Sequence, residues 1–109
     1  MYGALHVQGN RILDKDNNPV QLKGMSLFWS QWSTAFYNAK TIQYLAKTIQ
    51  CTVVRAAIGD YLINDRHEQI TTVIDAAIAN NIYVIIDWHA HDAVDHKNEV
   101  REFFISMAT

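Results

Sequence analysis

The run Ile82-Tyr83-Val84-Ile85-Ile86-Asp87-Trp88-His89-Ala90-His91 constrains this chain more than any other stretch. It starts as an apolar, largely β-branched segment and ends in a carboxylate, an indole and two imidazoles. A near-continuous apolar run of this length reads as a strand buried on both faces, the habit of parallel sheets. Titratable groups at the C-terminal tip of a parallel strand lie where α/β proteins place ligands and chemistry.

The same kind of segment recurs along the chain. Residues 20–25 predict a first core strand, and Thr52-Val53-Val54-Arg55-Ala56-Ala57 a second, with residues 82–87 the third. Asn38 is a candidate N-cap for a helix over 39–49, whose Ile42, Leu45, Ala46 and Ile49 share a face. Asp65 with Glu68 has capping-box spacing. The helix that follows presents Ile70, Val73, Ile74, Ala77 and Ile78 on one side and ends at Asn80-Asn81. Residues 59–64 and 89–98 read as loops, and a last helix carries Val100, Phe103, Phe104 and Met107. Ahead of these units, residues 4–8 and 11–14 alternate around Gly9-Asn10, a hairpin signal, and Lys15-Asp16-Asn17-Asn18-Pro19 is a polar turn.

Strands returning about every 30 residues with helices between them spell β-α-β-α-β-α and a parallel sheet. No linker, repeat or low-complexity tract divides the 109 residues, so residues 1–109 belong to one domain. An open doubly wound sheet and part of a (β/α)₈ barrel both satisfy the pattern. A nucleotide-binding sheet calls for a glycine-rich turn after its first strand, which Gly24-Met25-Ser26-Leu27-Phe28-Trp29 lacks. The aromatic segment 26–37, with Phe28, Trp29, Trp32, Phe36 and Tyr37, suits a sugar or another flat apolar ligand better than a phosphate.

Composition excludes several classes. With 50% hydrophobic residues the chain is not disordered, and a net charge of −2 without a block of lysines or arginines argues against nucleic acid and anionic membranes as partners. No apolar run approaches the ~20 residues of a membrane span. Met1-Tyr2-Gly3 does not begin a signal peptide. The single Cys51 reads as a small buried apolar residue.

Several residues are candidates for chemistry. Arg55 near the end of an apolar strand needs a partner. It either orders an active-site carboxylate or makes a structural ion pair, with Asp87 the obvious mate. His89 can donate a hydrogen bond to a ligand or a catalytic carboxylate. His91, Asp92, Asp95 and His96 suggest a metal cluster, but their spacing matches no structural zinc pattern and no thiolate stands near, so a solvated polar loop is the better reading. Trp29, Trp32 and Trp88 could stack on pyranose rings or fill the core. Asp87 reads as a structural anchor at the strand end. Glu68, Glu99 and Glu102 read as helix-borne solvated charges. No cofactor and no metal are expected.

Lys23-Gly24-Met25-Ser26, Ser30-Gln31-Trp32, Val53-Val54-Arg55-Ala56-Ala57 and the run 82–89 together closely resemble the N-terminal part of glycoside hydrolase family 5 cellulases, the bacterial endo-1,4-β-glucanases. The resemblance extends from Gly3 to Thr109. It implies an N-terminal β-hairpin plus the first three βα units of a (β/α)₈ TIM barrel, with the hairpin closing the barrel's bottom. It implies an enzyme that hydrolyses the β-1,4 bonds of cellulose with retention. On matching residues, Arg55 takes the role of the arginine that holds the nucleophilic glutamate, and His89 lines the subsite beside the cleaved bond. Trp32 becomes a glucose platform on the non-reducing side, with Asp87 and Trp88 as structural supports. Where many relatives carry a histidine after strand one, this chain has Phe28.

In that family the acid/base lies in an Asn-Glu-Pro motif on strand four and the nucleophile on strand seven. This sequence contains neither motif nor strand. A retaining glycosidase needs two carboxyl groups about 5–5.5 Å apart, so the chain is expected not to hydrolyse cellulose alone. The expected partners are cellulose or cello-oligosaccharides, and a complementary C-terminal barrel fragment or another copy of the chain to cover open strand edges. By itself the chain is expected to be marginal, molten or oligomeric. The resemblance implies a secreted parent enzyme. The alternative is a non-catalytic half-barrel that self-associates, with at most weak sugar binding.

Overall fold

The computed structural model describes residues 1–59 and 65–108, with the side chains of Asp65 and Arg66 outside that description. The loop expected over 59–64 therefore lies outside it beyond Gly59, as does the Asp65 half of the capping box.

The chain opens with a hairpin. Strand β1 (His6–Gln8) pairs antiparallel with β2 (Arg11–Leu13), Gln8 opposite Arg11. Gly9 has φ +62°, as a two-residue turn with glycine at its first central position requires. Both strands are shorter than the alternation suggested. Val7 is largely exposed. Beyond it, Asp14 Oδ1 accepts from the backbone N–H groups of Asp16 and Asn18, each at 2.8 Å. That geometry builds the polar turn.

Three parallel strands follow, β3 (Gly24–Leu27), β4 (Val53–Ile58) and β5 (Tyr83–Trp88), in that order in one sheet. The first begins four residues later than the expected 20–25. Residues 20–23 make no strand because Val20 N–H is turned to Ile12 O, beside the Leu13–Pro19 bridge. The ladder with β4 starts only where Lys23 meets Thr52, whose Oγ1 accepts from Lys23 N–H at 2.8 Å.

Helix α1 (Ala39–Lys47) is capped by Asn38, whose side chain accepts from Thr41 N–H at 2.9 Å. It stops short of the expected residue 49, and Ile49 is exposed. Gln50 at φ +62° turns the chain into β4, as left-handed residues do after helix ends. Helix α2 (Asp65–Ala79) ends before Asn81, at φ +55°. Helix α3 (Lys97–Met107) follows a short 3₁₀ turn, Ala93–His96, so the segment expected as a loop to 98 is helical from its second half.

Alternation along the strands sorts the core. Leu27, Val54, Ala56, Ile58, Val84 and Ile86 point to one face, where Ile42 and Leu45 of α1, Ile70, Val73 and Ala77 of α2, and Phe103 and Met107 of α3 cover them. Cys51 is buried in the same cluster. Ile78, grouped by periodicity with the core face of α2, is 70% exposed instead. It lies to one side of the buried stripe, whose Ala76 and Ala77 on the same turn are covered. The other sheet face carries Ser26, Arg55 and Ile85 in one row, with Ala57 and Asp87 in the next. Here β5 departs from expectation. Among the described strands β4 is the most buried, with Arg55 alone partly open, whereas Ile85 of β5, an edge strand with one neighbour, is 49% exposed.

The N-terminal residues lie at the opposite end of the sheet from Asp87. Tyr83 Oη accepts from Tyr2 N–H at 3.1 Å and donates to Gly3 O at 2.7 Å. The Tyr2 and Tyr83 rings are near parallel. Lys15 N–H bonded to Tyr2 O ties the hairpin to the same end.

Two isoleucines of α2 should separate sharply in urea denaturation. Ile70→Ala empties a fully buried site and is expected to cost about 2–5 kcal/mol. Ile78→Ala should stay within about 0.5 kcal/mol. At the hairpin, hydrogen bonds led by that from Asn18 hold the Asp14 carboxyl below its ordinary range. A depressed folded-state value means that the turn's stabilisation is present above the ordinary aspartate value and is lost as pH falls through the lowered one. An NMR titration should place the Asp14 midpoint below that of an unstructured aspartate. An unshifted midpoint would contradict the turn geometry.

Candidate active site

The ladder register builds the site before any side chain is considered. Ser26, Arg55 and Ile85 are direct neighbours across three strands, and Ala57 faces Asp87. His89 N–H donates to Ile58 O at 2.8 Å, continuing the ladder one step past β5. That keeps the residue in phase with Asp87, two positions earlier, and on the same face.

On that face Arg55 Nη2 lies 2.5 Å from Asp87 Oδ2, and Nη1 donates to Ser26 Oγ at 3.3 Å. His89 Nδ1 is 2.9 Å from the same Asp87 oxygen and 3.1 Å from Arg55 Nη2. The structural pairing anticipated for Arg55 and Asp87 is therefore made, and His89 joins it. Arg55 is 38% exposed at its side chain and Asp87 23%. The cluster is thus partly buried and still open to a ligand from above. Asp87 is engaged from two sides, which suits it to orienting its neighbours rather than attacking a substrate.

The aromatic segment after β3 is fastened onto β4. Ser30 is fully buried; its N–H donates to Ala57 O at 3.0 Å and its Oγ accepts from Gly59 N–H at 3.1 Å. The Tyr37 hydroxyl donates between Phe28 O, at 2.9 Å, and Ala57 O, at 3.0 Å. A Cβ at position 59 would sit 2.2 Å from Gln31 Oε1, so a larger residue there would have to displace the Gln31 amide. These bonds hold Trp29 edge-on against His89, with ring centroids 4.7 Å apart at 87°, and tilted against His91 at 5.6 Å.

The remaining candidates fall as follows. Trp32 stands 74% exposed on the same loop, its indole available to a flat partner. Trp88 points to the helix side and meets Phe103 edge-on at 5.3 Å, away from Arg55 and His89. His96 lies against Asp92 and Glu99, at 3.2 and 3.7 Å, an i,i+4 and i,i+3 arrangement along its own segment. Glu68, Glu99 and Glu102 are exposed on α2 and α3.

Sequence reading alone missed Ser26, Ser30 and Tyr37. Ser26 was signalled only through strand alternation, and that needs the start of β3 to be right. Ser30 and Tyr37 gave no periodic signal, because their partners are main-chain atoms of another unit.

Ser30→Ala leaves Gly59 N–H without this acceptor and is expected to cost about 1–3 kcal/mol in denaturant unfolding. Tyr37→Phe should cost about 1 kcal/mol. Either variant should also change the near-ultraviolet signal of Trp29, whose loop they hold.

A family model described as Cellulase (glycosyl hydrolase family 5) matches residues 13–109. Among curated proteins, Endoglucanase Z of Dickeya dadantii is 39% identical over 95% of this chain, and an endoglucanase of Clostridium saccharobutylicum is 36% identical over 97%. The chain spans 26% of the length of each, about a quarter of these relatives. A solved structure from Cytophaga hutchinsonii superposes with TM-score 0.94 at 45% identity, over 98% of this chain and 37% of that one. A catalytic domain of a Thermobifida fusca endoglucanase, in complex with cellotetraose, gives TM-score 0.89 at 30% identity, over 98% of this chain and 38% of that one. By family match, by sequence and by fold, the chain belongs to glycoside hydrolase family 5.

Proposed function

We propose that this chain is the N-terminal portion, residues 1–109, of a single endo-1,4-β-glucanase catalytic domain that hydrolyses cellulose with retention of configuration. Its hairpin and three βα units are the first part of a (β/α)₈ barrel. The observation that carries the reading is the Arg55–Asp87–His89 cluster toward the C-terminal ends of parallel strands, with Trp32 exposed on the loop that follows the first of them, in a chain of this family.

Within that reading, the chain's own residues bind and orient. Arg55, braced by Asp87 and Ser26, presents its remaining N–H groups to the nucleophilic carboxylate and holds it ionised, as a guanidinium does for a carboxylate. His89, braced by Asp87 and Trp29, contacts a hydroxyl of the sugar next to the scissile bond. Trp32 supplies an apolar platform for a pyranose face. The acid/base and nucleophilic glutamates come from strands four and seven, so bond cleavage requires the rest of the barrel. Those strands also cover the face on which Ile85 is exposed. The substrate class is cello-oligosaccharide or cellulose, consistent with the bound cellotetraose of the Thermobifida fusca relative. The parent enzyme acts outside the cell.

Reconstitution tests this directly. The chain alone should release no reducing sugar from carboxymethylcellulose, and mixing with the remainder of the barrel should restore hydrolysis. In the restored enzyme Arg55→Lys should lower kcat by on the order of 10²-fold, since a point charge replaces a two-pronged donor. Trp32→Ala should weaken cellotetraose binding roughly tenfold. Two pieces shown to associate without recovering activity would count against the proposal, in favour of a non-catalytic half-barrel.

A further inference from the structure

We infer that Asp87 is a positioning residue that fixes the tautomer of His89, so that Nδ1 carries the proton and Nε2 meets the ligand as a hydrogen-bond acceptor. The specificity consequence is that this imidazole selects a hydroxyl donor. The identity of that ligand as a glucan rests on the function proposed above, but the tautomer does not.

Asp87 Oδ2, Arg55 Nη2 and His89 Nδ1 form a tight triangle with sides of 2.5, 2.9 and 3.1 Å. Two assignments of the protons fit such a triangle. In one, Arg55 donates to both Asp87 and a bare His89 Nδ1, leaving the ring's proton on Nε2. In the other, Arg55 and His89 both donate to the Asp87 oxygen, leaving Nε2 bare. The first asks one amino nitrogen to reach two acceptors. At Nη2 they subtend roughly half of the ~120° by which its planar N–H bonds diverge, so neither bond would be straight. The second asks only that a carboxylate oxygen accept twice, which its lone pairs allow. It also turns the Nδ1 contact into a hydrogen bond to a charged acceptor, the stronger kind. The bond made by one ring nitrogen sets the role of the other.

The surroundings hold the ring in that pose. Trp29 meets the His89 ring nearly perpendicular, at 87°, and Ile58 O fixes its backbone through the His89 N–H. Arg55 is in turn tethered by Ser26, so the carboxylate cannot follow the guanidinium away.

The test is long-range proton–nitrogen NMR on the chain labelled at histidine, at a pH where the ring is neutral, with His89→Gln assigning the signal among the five histidines. The expected result is a protonated Nδ1 and an acceptor-type Nε2. Asp87→Asn should invert this. The amide can turn its NH₂ toward Nδ1 and drive the proton to Nε2, a change of tautomer known to follow the loss of a carboxylate behind a histidine. A wild-type ring protonated at Nε2 would overturn the inference, as would a tautomer indifferent to Asp87→Asn. A sample whose amide signals are collapsed also counts against it, since the three groups are then not held together. None of these readouts depends on cellulose hydrolysis, so the failure of this inference and the failure of the proposed function are distinguishable.

Discussion

The two-residue period of β4 is the constraint on which the rest of this structure depends. Every second side chain of that strand, Val54, Ala56 and Ile58, is committed to the helix-covered core and is fully buried. Arg55 is thereby forced to the other face. A slip of one residue would drive the guanidinium among Ile42, Ile70 and Val73, where an unpaired charge is not tolerated. The same register sets Arg55 beside Ser26 and Ile85 and puts Asp87 one row beyond. The polar cluster is thus a by-product of packing. Core burial on one face fixes the phase, and the phase delivers three hydrogen-bonding groups to a common point on the other.

Much of this was legible in the chain, and the failures have physical causes. Apolar periodicity identified all three core strands and all three helices. The tip Asp87-Trp88-His89 marked the end of the sheet where Arg55, Asp87 and His89 meet. Residues 20–25 misled because Val20, Leu22 and Met25 look like a strand, while the backbone of this stretch is first spent on the Ile12 and Pro19 contacts. Ile78 misled because periodicity groups residues over a wide arc of the helix, and Ile78 falls at the far edge of that arc, outside the buried stripe of Ile70, Val73 and Ala77. Both-face burial of β5 was inferred from composition alone. Composition reports what a strand's side chains prefer and not whether a neighbour exists to cover them. Asp87 and Arg55 were legible as a pair because a charge in an apolar strand demands a partner. The third member, His89 Nδ1, required the ladder to continue past the strand's end, which no local signal announces.

The two ends of the sheet divide their work. At the N-terminal end, Tyr83 receives the chain's first residues through its hydroxyl and ring, and Thr52 and Lys23 clasp the entry to the ladder. At the C-terminal end, the groups are titratable or aromatic and several are exposed. Parallel strands suit this division because all of their C-termini converge on one rim. The anchoring of the chain's start and the polar cluster then occupy opposite rims of the same six-residue strands.

The attachment of the aromatic loop has a consequence for how such a site can change over generations. Ser30 and Tyr37 grip β4 through the carbonyl of Ala57 and the amide and carbonyl of Gly59, all main-chain atoms. These contacts engage the backbone of the strand beneath rather than its side chains. Trp32 and Phe36 can therefore be exchanged for other surfaces without loosening the loop, and β4 can drift without displacing the aromatics. A loop fastened in this way is free to present a different surface while its frame stays put.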